Sequence, residues 1–296
     1  MNPLTEAAGL IRFVLRHPAN RGRAISALAR FVAWQAWKRV VGRPRDLRFR
    51  DGFRLRACPD STVASMMIYC RGRPDWHEAL FLRHFLKPGD GFVDVGAHVG
   101  TYSLLAGALV GPSGWVEAFE PAADAAQRFR LNIELNGFSW VHLTQAAVGA
   151  EEGTVRFTTG LKTINQVSLR STPGNVEVSQ LRLDDVLAGR DAAAAKLDVE
   201  GAEPLVLAGW QAALRRGLPM ALLIEVNDGI RRFGFREAEF LGWLRGFGYR
   251  MGLYDSDRRI IRWSEEPWRE RENILAIHEP SLDKILCRIE GQAISG

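Results

Sequence analysis

Apolar residues recur at helical spacing across residues 8–41: Leu10, Ile11, Val14 and Leu15, then Ile25, Leu28, Ala29, Phe31 and Val32, with a break between Pro18 and Gly22. Gly42-Arg43-Pro44 reads as a linker, and two short alternating runs flank Asp51-Gly52, which predicts a β-hairpin over Leu47–Arg56. The apolar run Met66–Cys70 predicts one more strand, and Trp76–Leu86 an amphipathic helix that stops at Lys87-Pro88-Gly89-Asp90. From there strands and helices alternate. Phe92–Val95, Trp115–Phe119, Val141–Val148, Lys196–Val199, Ala221–Val226, Tyr249–Tyr254 and Asn273–Ile277 read as strands. Helices are expected from about Val99 to Leu109, over Ala122–Asn136 up to Gly137, after Ala202, and over Glu237–Phe247. An antiparallel excursion is expected through Thr154–Thr158 and Glu177–Leu183. The pattern implies an α/β fold around a doubly wound, mostly parallel, seven-stranded sheet. Residues 1–65 would form an N-terminal helical segment with a hairpin, and residues 66–296 the main domain, with an insertion at about 153–183.

Charge refines this division. Residues 1–56 hold thirteen Lys/Arg against three Asp/Glu, whereas the whole chain is only +5, so the remainder is acidic. Trp34 and Trp37 stand beside Lys38 and Arg39, giving two readings of the basic helices: peripheral contact with an anionic membrane, or packing on their own domain. Cys58, Cys70 and Cys287 are few and scattered, which argues against a disulfide framework or a thiolate zinc site and for a reducing cytoplasm. No apolar run is long enough to span a bilayer, and the N-terminus is not a secretory signal.

The candidate chemistry begins where the first long strand ends, the place at which open parallel sheets bind ligands. Asp94-Val95-Gly96-Ala97-His98-Val99-Gly100-Thr101-Tyr102 is a strand, a glycine turn and a helix start. Glu120-Pro121 closes the second strand, and a carboxylate there can accept both ribose hydroxyls of a nucleoside. A first-turn acid on the following helix is the competing role for Glu120. The spacing G-x-x-x-G departs from the dinucleotide G-x-G-x-x-G. An acid two residues before Gly96 would repel a pyrophosphate but suits a ligand bearing an ammonium and a sulfonium. That favours S-adenosylmethionine over NAD, and so a methyltransferase over an oxidoreductase.

The segments FVDVGAHVGTYSLLA, AFEP, LNIELNG, AAVG, LDDVL and KLDVEGAEPLVLAG, in this order, resemble the FkbM family of methyltransferases over about residues 66–278. The resemblance implies a class I, Rossmann-like methyltransferase fold with S-adenosylmethionine as cofactor. It also implies O-methylation of a hydroxyl on a sugar, glycan or secondary metabolite. By the same resemblance Asp94, Gly96, Ala97, His98, Gly100, Thr101 and Tyr102 form the cofactor turn, Glu120 and Pro121 meet the ribose, and Ala147 lies beside the adenine. The family usually has asparagine where this chain has His98. Ile68-Tyr69-Cys70, Trp76-His77-Glu78 and Thr163-Ile164-Asn165 resemble a subset of the family with a similar N-terminal extension.

An alcohol acceptor must lose a proton, so a base is sought at the end of the fourth strand. Asp198, Glu200 and Glu225 are the candidate catalytic residues, with Asp198 also a candidate for the methionine end of the cofactor. Capping of the helix near Ala202 is the competing role for Asp198 and Glu200. Asp198, Glu225 and Asn227 have the hard oxygens a divalent ion prefers, but no spacing demands one and no metal is expected. A nucleic-acid methyltransferase is disfavoured, because this chain has Asp198-Val199-Glu200-Gly201 where an Asn/Asp-Pro-Pro-aromatic turn is expected, and acids suit a polyanion poorly. The expected partner is a small-molecule or glycan acceptor. Oligomeric state stays open.

Overall fold

The computed structural model describes residues 3–158, 167 and 175–290. Helices α1 (Pro3–Arg16) and α2 (Ala24–Val40) lead into the hairpin β1 (Arg45–Arg48) and β2 (Arg54–Ala57), then α3 (Thr62–Tyr69) and α4 (Trp76–Phe85). The alternating body follows: β3 (Gly91–Val95), α5 (Thr101–Val110), β4 (Trp115–Phe119), α6 (Ala123–Asn136) and β5 (Val141–Thr144). Strands β6 (Ala147–Val148), β7 (Gly153–Phe157) and β8 (Val176–Leu181) form a separate small sheet. Next come α7 (Leu183–Val186), β9 (Ala194–Leu197), α8 (Glu203–Ala208), α9 (Gln211–Arg215), β10 (Ala221–Glu225) and α10 (Glu237–Arg245). The chain closes with β11 (Tyr249–Asp255), β12 (Ile260–Trp263), β13 (Asn273–His278) and α11 (Leu282–Glu290).

The main sheet has eight strands, one more than expected, in the order β12-β11-β13-β10-β9-β3-β4-β5. Strands β10, β9, β3, β4 and β5 run parallel, and β13, β11 and β12 add an antiparallel wing. The extra strand is β12, an edge strand that returns from β11 through Asp255–Arg259. The central strands β3 and β10 are buried on both faces, which explains why they are apolar except for Asp94 and Glu225 near their carboxyl ends. Phe81, Phe85, Leu104 and Ile285 cover one face; Val206, Leu214, Phe240 and Leu244 cover the other.

Two further expectations are corrected. Met66–Cys70 belongs to a helix, α3, whose start is capped by Ser61 Oγ accepting from the Ala64 N–H at 3.1 Å. Val141–Val148 is two strands in two sheets, with the break at Gln145-Ala146. The supposed boundary at residue 65 falls inside α3, and Phe53 and Leu55 pack into the same core as Phe92 and Leu104.

The N-terminal segment is joined to the body by two asparagines one helical turn apart on α6. Asn132 Oδ1 accepts from the Arg56 N–H (2.8 Å) and Asn136 Oδ1 from the Arg54 N–H (2.6 Å), so they pair with the free edge of β2. Asn132 Nδ2 also donates to the Val99 carbonyl (2.9 Å), which couples the hairpin to the turn after β3. Trp34 is buried and donates to Ser65 Oγ at 2.9 Å, so α2 packs on α3, while Ile25 and Val32 stay exposed. Among the described residues no helix is long and apolar enough to cross a membrane.

Candidate active site

A cavity of about 390 Å³ opens over the carboxyl ends of β3, β4, β9 and β10. Asp94, Gly96, Ala97, His98, Thr101, Tyr102, Glu120, Pro121, Ala147, Asp198, Glu200 and Glu225 all line it. Gly100 does not. A Cβ there would stand 2.1 Å from the Phe129 ring, so this glycine, at φ +87°, lets α5 start tight against α6. Gly96 answers to a protein atom as well: its Cβ would lie 1.9 Å from the Asp198 carbonyl oxygen, at φ +82°. The glycine turn thus sits on the β9 loop and fixes where Asp198 stands.

Burial shapes the charges. Asp94 is 2% exposed, and its Oδ2 accepts from Ser103 Oγ at 2.5 Å. Burial raises its carboxyl to about 6, against the pull of Ser103 and Lys196. Glu120 accepts through Oε2 from the His98 N–H and through Oε1 from the Ala122 N–H, each at 2.8 Å. Glu120 thus ties the turn after β3 to the residue that precedes α6, and each of its oxygens keeps a lone pair free. Burial pushes this carboxyl up to about 7. His98 adopts φ +51°, a left-handed backbone in which asparagine and histidine are both enriched, which accounts for the exchange between them. Its Nδ1 is buried without a partner, and burial lowers its pKa.

At the carboxyl ends of β9 and β10, oxygens of Asp198, Glu200 and Glu225 lie within 4.8 Å of one another. Lys196, 4% exposed, donates to Asp198 Oδ2 at 2.6 Å and lies 4.8 Å from the Tyr102 ring centroid. The Asp198 carboxyl is drawn down by Lys196 despite its burial, and the lysine is raised in turn. Glu225 is driven the other way, to about 9, by burial and by the charge of Asp198. At neutral pH the pair is therefore an ionised Asp198 and a protonated Glu225. Burial also raises Glu200, which has no side-chain partner among the described residues. Neither Asp198 nor Glu200 caps α8. Glu203, the first residue of α8, instead ties down the loop before it, its Oε1 accepting from the Val199 N–H (2.9 Å) and the Gly201 N–H (3.2 Å). Asn227 is likewise occupied, accepting from the Gly229 N–H at 2.8 Å.

The sequence reading missed the outer wall. Thr62, Val63 and Met66 of α3, then Pro74 and Asp75, face the cavity from the N-terminal segment, and Phe157 and Val167 from the excursion. Asp75 looks in the sequence like a cap for α4, yet makes no cap bond; its Oδ2 accepts from the Tyr102 hydroxyl at 3.0 Å. Thr163-Ile164-Asn165 lies outside the described residues.

The FkbM methyltransferase domain matches residues 94–251, just over half of the chain. This chain belongs to the FkbM methyltransferase family. An FkbM relative, the 31-O-demethyl-FK506 methyltransferase of Streptomyces tacrolimicus, is 32% identical over 206 residues, 57% of this chain and 76% of that protein. Among solved structures, Aeropyrum pernix fibrillarin in complex with S-adenosyl-L-methionine aligns with TM-score 0.36 and 11% identity over 67% of this chain and 72% of that one. A putative methyltransferase from Streptococcus mutans in complex with SAH gives 0.33 and 15% over 53% and 78%. Scores this low carry no argument, and the family match decides. The FkbM fold here is a Rossmann-like methyltransferase fold, and its cofactor is S-adenosylmethionine. The cavity fits that molecule: the two buried acids Asp94 and Glu120 line it, and among the described residues no arginine does, as a pyrophosphate would require.

Proposed function

We propose that this FkbM protein methylates a hydroxyl on a sugar, glycan or secondary metabolite. One observation carries the reading: a carboxylate without a side-chain partner, Glu200, faces the cavity within 4.8 Å of the Asp198–Glu225 pair. S-adenosylmethionine supplies an electrophilic methyl on sulfonium. Around it, Asp94 and Glu120 hold the donor's polar groups. Asp198, fixed by Lys196, stays ionised and accepts from a hydroxyl or ammonium, and Glu225 donates from its protonated carboxyl. Glu200 takes the proton of the acceptor hydroxyl, its raised pKa bringing it nearer to neutrality as a base should be. The name of the Streptomyces tacrolimicus relative, which specifies an oxygen, supports an oxygen acceptor. The acids at this end disfavour a nucleic-acid backbone.

The test is transfer of label from S-adenosylmethionine to sugars, glycans and hydroxylated metabolites. Glu200→Gln should lower kcat about 100-fold or more, within the range for removal of a general base, with S-adenosylhomocysteine affinity little changed. Full activity in Glu200→Gln removes it from that role.

A further inference from the structure

Three hollows run in series from the donor cavity to the basic N-terminal segment. The second, about 410 Å³, shares Pro74 and Asp75 with the donor cavity. It is lined by His17, Trp76, Glu78 and Arg271 among others. The third, about 270 Å³, shares Pro18 and Trp76 with the second, and five arginines line it: Arg21, Arg23, Arg50, Arg71 and Arg73.

This is an unusual concentration of like charge to fold around empty space. Arg21 is paired with Asp257 and Arg73 with Asp51, which Arg83 also engages. Arg23, Arg50 and Arg71 pair with no carboxylate among the described residues, so about three positive charges face the hollow unneutralised. Burial and the neighbouring Arg23, Arg50 and Arg73 depress the Arg71 guanidinium, which reports their mutual repulsion. Arg23 is also the N-cap residue of α2, and that helix start has no side-chain cap. Between this basic end and the donor cavity stands Trp76, whose indole Nε1 is buried without an acceptor. Trp76 lines both the second and the third hollow, with the Arg73 guanidinium 5.6 Å from its ring centroid, and an aromatic wall suits a sugar ring.

We propose that the arginine hollow binds the phosphate or diphosphate of the acceptor, a phosphorylated sugar whose ring lies against Trp76 and whose hydroxyl reaches the donor cavity past Asp75. The proposal rests on the hydroxyl-methylation reading and narrows its substrate class. It also gives the charge division of the chain a use: guanidiniums hold the phosphates at one end, while the ionised Asp198 keeps them from the methyl end. Planar guanidiniums bind phosphate oxygens in pairs, which a hollow lined by five of them favours.

The test uses the full chain loaded with S-adenosylhomocysteine, whose affinity also checks that each variant is folded. Inorganic pyrophosphate is titrated into the wild type, Arg23→Gln/Arg50→Gln and Arg23→Lys/Arg50→Lys; both residues are exposed, so the core is untouched. Pyrophosphate should bind the wild type, at least about tenfold more weakly the glutamine variant, and with partial recovery the lysine variant. Absence of binding, equal affinity in all three, or binding of phosphatidylglycerol vesicles without pyrophosphate overturns the proposal. In a second arm, a nucleoside-diphosphate sugar and the methyl glycoside of the same sugar are compared as methyl acceptors. The kcat/KM preference for the first should fall at least about tenfold in the glutamine variant. Equal use of both acceptors by the wild type overturns the proposal and leaves hydroxyl methylation standing. Arginine-dependent pyrophosphate binding with no transfer to any sugar keeps the anion site and sinks the sugar-hydroxyl reading.

Discussion

Replacing Lys196 with methionine tests the charge arrangement at the methyl end, because it keeps the bulk of the side chain and removes only its charge. The lysine is 4% exposed and bonds Asp198 Oδ2 at 2.6 Å, so the variant leaves Asp198 without its cation. Breaking a fully buried ion pair costs about 3–5 kcal/mol. Asp198 keeps 38% of its side chain exposed, and solvent screening reduces the expected loss to about 2–3 kcal/mol. With an unfolding entropy of about 0.6 kcal/mol/K for a chain of this length, the melting temperature should fall by about 3–5 °C. The sign with pH follows from Asp198. Its folded pKa is depressed in the wild type, so its stabilisation is present above the unfolded value, near 3.8, and fades as pH falls through the folded one. In Lys196→Met the same carboxyl loses that support and burial holds its proton on, so the deficit should be larger at pH 8 than at pH 5. Differential scanning calorimetry at both values measures this. A deficit of equal size at the two pH values would mean that lost packing, not an uncompensated carboxylate, is responsible, and the charge argument would fail.

Gly96→Ala should be among the more damaging small substitutions: a Cβ cannot share space with the Asp198 carbonyl at 1.9 Å, so S-adenosylhomocysteine affinity and melting temperature should both fall. Unchanged titration calorimetry would show that the turn relaxes freely. His98→Asn should keep donor affinity within about threefold, whereas His98→Val, β-branched at φ +51°, should cost about 1–2 kcal/mol of stability in chemical denaturation. For Glu120, raised to about 7, the folded protein keeps a proton that the unfolded chain would release near 4.5. A ligand that uses the carboxylate should therefore bind more tightly at pH 8 than at pH 6, and Glu120→Gln should lose both affinity and that slope; a pH-independent wild type would contradict this.

The parallel core was legible because strands buried on both faces are rich in apolar residues, as Gly91–Val95 and Ala221–Glu225 are apart from Asp94 and Glu225, which stand at their carboxyl ends. Met66–Cys70 was not, since a short apolar run reads alike in a buried helix and a strand; the Ser61 cap was the available signal. The packing constraint on Gly100 was not legible, because the ring that imposes it, Phe129, lies 29 positions away and appears only once α5 packs on α6. The candidate acids were visible as residues but not as charge states. Which of Asp198 and Glu225 keeps its proton depends on Lys196, a buried lysine whose pairing the sequence suggests but whose effect on two neighbours it does not. Asp75 was hidden by its own position at the start of α4, where an aspartate normally caps.

The clasp formed by Asn132 and Asn136 on β2 has an evolutionary and practical consequence. The family-defining stretch begins at Asp94, whereas Thr62, Met66, Pro74 and Asp75, which wall the cavity on its far side, come before it. The far wall of the cavity and the family-matching stretch are thus encoded in successive lengths of chain, joined in space at a seam of three short hydrogen bonds to the β2 backbone and one to the turn after β3. A leading segment from another member could be grafted as a cassette wherever its hairpin offers the same backbone edge to these two asparagines. Retargeting such an enzyme then becomes a matter of matching a seam rather than redesigning a pocket.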